Sequence, residues 1–185
     1  KYLSEIGKNT IPYQWEEIPN GNILRFDSNT LPFSPRSLPI FLKEMKDNCP
    51  INEYADPSYR KLKKLIAEYE NVTETMITIT NSGDEAIDIL AKTFLNPSDY
   101  FLTTPPTYEM FGIQCCINRG LNLEIPLTGE NFQVNEDKII SESKKEKVKM
   151  IFLVNPNNPT ASIIPQEIIE NIINKSDAIV VVDEA

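Results

Sequence analysis

Five short apolar runs, each separated from the next by one helical stripe, constrain this chain more than any other feature. MITIT (Met76 to Thr80), YFLTT (Tyr100 to Thr104), LNLEIPL (Leu121 to Leu127), KMIFLV (Lys149 to Val154) and AIVVVDE (Ala178 to Glu184) read as strands. Between them, apolar residues recur at helical spacing. Ile87, Leu90, Ala91 and Phe94 share one face after Asn81-Ser82-Gly83. Further helices are expected from about Tyr108 to Asn118, around Glu136 to Ser143, and from Pro165-Gln166-Glu167 onward. Ahead of the first run, Asp56-Pro57 reads as N-cap and first helical residue, with Leu62, Leu65, Ile66 and Tyr69 in register behind it. Strands alternating with helices at this spacing describe βαβ units. The expected fold is α/β: a mostly parallel sheet with helices on both faces.

The segment before residue 57 follows no such rhythm. Up to and including Pro57 it holds seven of the fourteen prolines, and NTLPFSPRSLP (Asn29 to Pro39) is too rich in proline for regular structure. The sequence therefore divides into an irregular N-terminal arm, residues 1–56, and an α/β part, residues 57–185. The arm either wraps its own domain or reaches an active site, its own or a neighbour's.

Composition removes several classes of function. A net charge of −9 argues against a nucleic-acid surface, since phosphate contacts need clustered Lys and Arg. No apolar run approaches the ~20 residues of a membrane helix. The three cysteines, with Cys115 and Cys116 adjacent, fit neither a zinc site nor a disulfide framework, and point to a reducing, cytoplasmic setting. Histidine is absent, which excludes Ser-His and Cys-His nucleophile pairs. No metal site is expected.

Ligands of a parallel sheet bind outside the carboxyl ends of its strands. Four elements fall there. Gly83, in NSGDEAIDIL, lies between a strand and a helix N-terminus, where free N–H groups and the helix dipole would seat a phosphate. The plain alternative is a βα turn in which Asp84 caps the helix. Tyr108, in TTPPTYEMF, either stacks on a planar ligand or packs. In NPNNPT two prolines hold Asn157 and Asn158 extended, so that an amide can meet a ligand oxygen. Asp183 ends the last strand. VVVDEA looks like the magnesium-binding strand of a nucleotide hydrolase, but no GxxxxGK[ST] loop accompanies it. A dinucleotide-binding fold lacks its three glycines. Pyridoxal phosphate accounts for all four elements together. Asp183 would pair with the ring nitrogen and keep it protonated, Asn158 would hydrogen-bond the ring oxygen, and Tyr108 would lie on the ring face.

The combination of NPNNPT and VVVDEA resembles the aspartate-aminotransferase-like pyridoxal enzymes. IPYQ (Ile11 to Gln14), the Asn29 to Pro35 arm, NEYADP (Asn52 to Pro57) and SGDEAID resemble, within them, the histidinol-phosphate aminotransferases. The resemblance covers the whole chain. It implies that Gly83, Asp84 and Glu85 form the cofactor-phosphate turn, that Tyr54 reaches the cofactor phosphate of a partner subunit in a homodimer, and that Tyr13 and Asn29 line the substrate site. It also implies an amino donor and 2-oxoglutarate as substrates. The related decarboxylation of threonine phosphate uses the same kind of site. Two positions depart from the family's pattern: Ala161 stands where Gly is usual after NPT, and Asn29-Thr30-Leu31-Pro32 stands where Asn-Glu-Asn-Pro is usual.

Members of that family run to roughly twice this length, and their Schiff-base lysine lies beyond the aspartate strand. No lysine follows Asp183 here. The resemblance thus implies an amino-terminal half, inactive by itself, with no catalytic residue of its own. It further implies a sheet order of 178–183, 149–154, 100–104, 121–125. Strand 76–80 would then stand apart by about 14 Å, three steps of ~4.8 Å. An open gap is expected to be intolerable, so either another chain fills it or strand 76–80 shifts to pair with 178–183.

Overall fold

A computed structural model of the chain describes residues 4–9, 21, 31, 33–49 and 52–185. These form two compact units: the described residues of 1–12 together with 80–185, and the described residues of 13–79. The boundary expected after residue 56 falls inside the second unit.

The first unit is built on four parallel strands, β1 (Tyr100–Thr103), β2 (Leu121–Glu124), β3 (Val148–Val154) and β4 (Ile179–Asp183), in the order β2-β1-β3-β4. This is the four-strand order expected from the resemblance. The register places Leu102 between Leu123 and Ile151, and Val154 opposite Asp183. Because side chains alternate along a strand, β3 feeds two cores at once. Met150, Phe152 and Val154 join Phe101 on one face, under α4 (Ser82–Phe94) and α5 (Met110–Ile117). Ile151 and Leu153 join Leu102 on the other face, under α6 (Glu136–Ser143) and α7 (Gln166–Lys175). That double burial is why KMIFLV reads as a continuous apolar run. Phe111 stacks on Phe152 with ring centroids 4.6 Å apart, and Phe101 meets Phe152 edge-on at 6.3 Å. Each large side chain so buried contributes about 1.5–3 kcal/mol. A short helix, α1 (Glu5–Asn9), packs against α5.

The second unit contains α2 (Leu38–Asn48) and α3 (Arg60–Glu70). Two helix starts differ from expectation. Pro39 lies inside the first turn of α2, where its missing N–H is harmless, so the irregular stretch ends at Ser37. Asp56 does not cap a helix at Pro57. Its carboxylate accepts hydrogen bonds from the Ser58 N–H (2.9 Å) and hydroxyl (2.8 Å), Tyr59 takes a left-handed φ of 47°, and α3 begins at Arg60.

MITIT is not a strand. A turn of 3-10 helix covers Glu74–Met76, and residues 77–80 carry no regular structure and do not belong to the sheet. β-branched composition expresses a strand only where a partner pairs with it, and no described strand pairs with these residues. Of the two expected outcomes, the shift of 76–80 to pair with β4 does not occur. The chain holds its four-stranded core with the outer edge of β4 unpaired among the described residues.

Candidate functional site

The parallel topology puts the loops after β1 and β3, and the last residue of β4, on one edge of the sheet. Hydrogen bonds then draw the expected site residues together. β4 ends beside the start of NPNNPT, where the Asn155 N–H donates to the Asp183 carbonyl at 2.8 Å. The Asp183 side chain, half-buried, accepts from the Ala185 N–H at 3.0 Å.

The Asn-Pro loop closes on itself. Asn155 Oδ1 accepts the Ile164 N–H at 2.9 Å, and the Ala161 N–H donates to the Asn157 carbonyl at 2.7 Å. Ala161 sits at φ 55°, in the left-handed region where glycine is at home. Asn158 is exposed, and no described residue hydrogen-bonds its amide. Its neighbour Asn157 is buried, at 5% exposure, and is tied into the fold.

At the start of α4, Ser82 takes a left-handed φ of 69° and the Thr80 hydroxyl donates to the Ser82 carbonyl at 2.8 Å. A helix leaves its first N–H groups without intrahelical acceptors. Glu85 turns its carboxylate back to the N–H of Asn81, so it closes the helix start. Asp84 Oδ1 accepts the Tyr108 hydroxyl at 2.9 Å. This bond, between two residues each assigned to the site for separate reasons, was not foreseen from the sequence. A separation of 24 residues gives no local signal for it. Tyr108 also meets Phe111 edge-on, with centroids 5.7 Å apart, so its ring is held at both ends.

Gly83 completes the turn. A Cβ there would meet nothing within 4 Å, and its φ lies outside the left-handed region. The fold alone therefore has no need of glycine at this position, whereas a ligand lying against the backbone would. With both nearby carboxylates already engaged by partners in the chain, the N–H groups at the head of α4 are left to face an anion. The donor set fits pyridoxal phosphate: helix N–H groups for a phosphate, an exposed amide for a ring oxygen, a strand-end carboxylate for a ring nitrogen.

Tyr54 is fully exposed and belongs to the second unit. Tyr13 and Asn29 lie outside the described residues. Cys115 offers no nucleophile: burial pushes its thiol up to about 12. Among the described residues, no cluster of His, Cys, Asp and Glu could hold a metal, and no helix is long and apolar enough to cross a membrane.

Comparisons with known proteins identify the family. The sequence model of the family "Aminotransferase class I and II" matches residues 21–185. The chain belongs to this family. It is 34% identical over 178 residues to a histidinol-phosphate aminotransferase of Thermoanaerobacter sp. (strain X514), covering 96% of this chain and 48% of the relative. The same-named protein of Clostridium novyi (strain NT) is 39% identical over 134 residues, 72% of this chain and 37% of the relative. The chain spans about half the length of the curated relatives it matches. Among solved structures, the Thermus thermophilus aspartate aminotransferase tetra mutant 1 superposes over 100% of this chain and 51% of its own (TM-score 0.83, 19% identity). Histidinol-phosphate aminotransferase of Sinorhizobium meliloti, in complex with pyridoxal-5'-phosphate, covers 82% of this chain and 40% of its own (TM-score 0.73, 20% identity). At these identities the structures establish the shared fold.

Proposed function

We propose that this chain holds the cofactor in a pyridoxal-phosphate-dependent aminotransferase of the histidinol-phosphate kind, which exchanges an amino group between glutamate or 2-oxoglutarate and a phosphorylated amino alcohol. The observation that carries this reading is the gathering of Gly83, Tyr108, Asn158 and Asp183 on one sheet edge, with Asp84 bonded to Tyr108 and Gly83 open above its turn. The names of the relatives support the substrate class.

When bound, pyridoxal phosphate supplies an electron sink for an amino group's α-carbon. The chain's own residues would prepare it. Asp183 is placed to hold a proton on the ring nitrogen by opposing its charge. Asn158 is placed to donate to the ring oxygen, and Tyr108 to limit the ring's movement on one face. The first N–H groups of α4 would bind the phosphate, with the helix dipole favouring its charge. Tyr13 and Asn29 are proposed for the substrate, and Tyr54 for the cofactor phosphate of a partner copy in a homodimer. The lysine that would hold the cofactor covalently is proposed to lie outside these 185 residues, so residues 1–185 alone would bind without turning over substrate. The free cysteines suit a cytoplasmic enzyme.

The test is an assay of the complete protein with pyridoxal phosphate and 2-oxoglutarate against histidinol phosphate, threonine phosphate, and aromatic and aliphatic amino acids. Transamination of histidinol phosphate is expected. Turnover of the plain amino acids alone would remove the phosphorylated substrate, and release of carbon dioxide from threonine phosphate would replace transfer with decarboxylation.

A further inference from the structure

Asn157 is the most completely used polar residue on the sheet edge. Its N–H donates to the Ser162 carbonyl at 2.9 Å, and its carbonyl accepts the Ala161 N–H at 2.7 Å. Its Nδ2 donates to the Pro106 carbonyl (2.9 Å) and to Thr160 Oγ1 (2.8 Å), while its Oδ1 accepts the Thr107 hydroxyl at 3.0 Å. Two of these bonds cross from the loop after β3 to the loop after β1, over 50 and 51 residues of sequence. The crossing is made one residue before each ligand candidate: Thr107 precedes Tyr108, and Asn157 precedes Asn158.

We propose that Asn157 and Thr107 form a positioning clamp that fixes the Tyr108 ring relative to the Asn158 amide, and so sets the slot into which the planar cofactor ring fits. This rests on the reading of Tyr108 and Asn158 as cofactor residues. The side chains of Asn157 and Thr107 are turned to each other and need not touch the cofactor. They act through the residues that follow them, by removing the freedom of two loops to slide past one another. Preorganisation of this kind raises affinity because the ordering is done before the ligand arrives.

A purely structural role for Asn157, satisfying the Pro106 carbonyl, is separable by experiment. Thr107→Val removes only the hydroxyl that Asn157 Oδ1 accepts, keeps the side-chain shape, and leaves both Nδ2 bonds in place. Thr107→Ser restores the hydroxyl. Pyridoxal phosphate affinity and the absorption band of the bound cofactor would be measured for both variants of the complete protein, with melting of the cofactor-free protein recorded alongside. The clamp predicts a dissociation constant raised roughly five- to tenfold and a displaced band in Thr107→Val. It predicts values within about twofold of the parent in Thr107→Ser, and cofactor-free melting lowered by a few degrees in Thr107→Val alone, from the buried hydrogen bond it loses. Unchanged affinity and band in Thr107→Val would overturn it. So would a loss that Ser does not restore, or a weaker affinity with no displacement of the band. Asp183→Asn in the same series separates the two levels of the account: binding that depends on Asp183 but ignores Thr107 sinks the clamp alone, and a parent protein that does not bind pyridoxal phosphate sinks both.

Discussion

Helices α4 and α2 both carry strong apolar sets, and the structure uses them differently. In α4, Ile87 (5% exposed) and Ala91 (0%) lie under the sheet with Phe101, Phe111 and Phe152. In α2, Leu38, Ile40, Phe41, Leu42 and Met45 are 37 to 68% exposed, and nothing in the helix is buried. The contrast extends to the units they belong to. Among the described residues of the second unit only Ala67 is buried, whereas the first unit encloses a core on each face of the sheet. Apolar sequence alone does not make a core. It becomes one where a neighbouring layer removes it from water, and the cost of a substitution should follow burial and not hydrophobicity.

The largest expected effect tests that contrast directly. Phe152→Ala removes the ring that links Phe101 and Phe111, and should cost about 3–5 kcal/mol in urea unfolding. Phe41→Ala, removing the same side chain from α2, should stay within about 0.5 kcal/mol. Comparable costs at the two positions would erase the distinction between the units.

A smaller effect, of opposite sign, is expected inside the first unit. Ala161 occupies a left-handed φ of 55° in the Asn-Pro loop. A residue with a Cβ is disfavoured there by about 1–2 kcal/mol, offset in part by the entropy glycine loses on folding. Ala161→Gly should therefore stabilise the protein by roughly 0.5–1 kcal/mol in the same unfolding measurement. A destabilised variant would mean that this loop holds Ala161 by contacts rather than tolerating it.

The smallest effect concerns two aspartates, one in each unit. Asp99 is buried, and the N–H of Asn96 and then its side-chain amide hold the carboxyl below its usual range, against the opposing influence of burial. Asp56 is lowered by the Ser58 hydroxyl and N–H, on the exposed surface of the second unit. A carboxyl whose folded pKa is depressed stabilises the fold fully above its unfolded value, about 3.9, and that stabilisation is lost as pH falls through the folded value. Stability measured from pH 5 to pH 2 should fall less steeply in Asp99→Asn than in the parent. Asp56→Asn should alter the slope less, since its partners are exposed. Equal flattening in the two variants would contradict the burial argument.

These comparisons also explain what could be read from the chain beforehand. Strands β1 to β4 and helix α6 carried periodicity that tertiary structure then reinforced, so their positions were legible within a few residues. MITIT carried the same local signal and failed, because pairing is supplied by other parts of the chain and leaves no mark within five residues. The places of Asp183 and Asn158 were legible because the parallel topology fixes where strand ends lie. The bonds from Tyr108 to Asp84 and from Thr107 to Asn157 were not, since each joins loops 24 or 50 residues apart through ordinary polar side chains. The left-handed φ of Ala161 was hidden because alanine does not announce it. The doublet Asn157-Asn158 shows the limit most sharply: identical neighbours, one buried and fully bonded, the other exposed.

The central claim, that the carboxyl edge of this sheet seats pyridoxal phosphate with Asp183 opposite the ring nitrogen, is tested most directly by equilibrium binding of the cofactor to Asp183→Asn beside Glu184→Gln. Asn keeps the side-chain size and an acceptor for the Ala185 N–H but carries no charge. A hydrogen bond between charged groups is worth about 1.5–3 kcal/mol, so Asp183→Asn should bind roughly ten- to a hundredfold more weakly. Exposed Glu184 should be replaceable without change. Parent-like affinity in Asp183→Asn, or an equal loss in Glu184→Gln, would contradict the account.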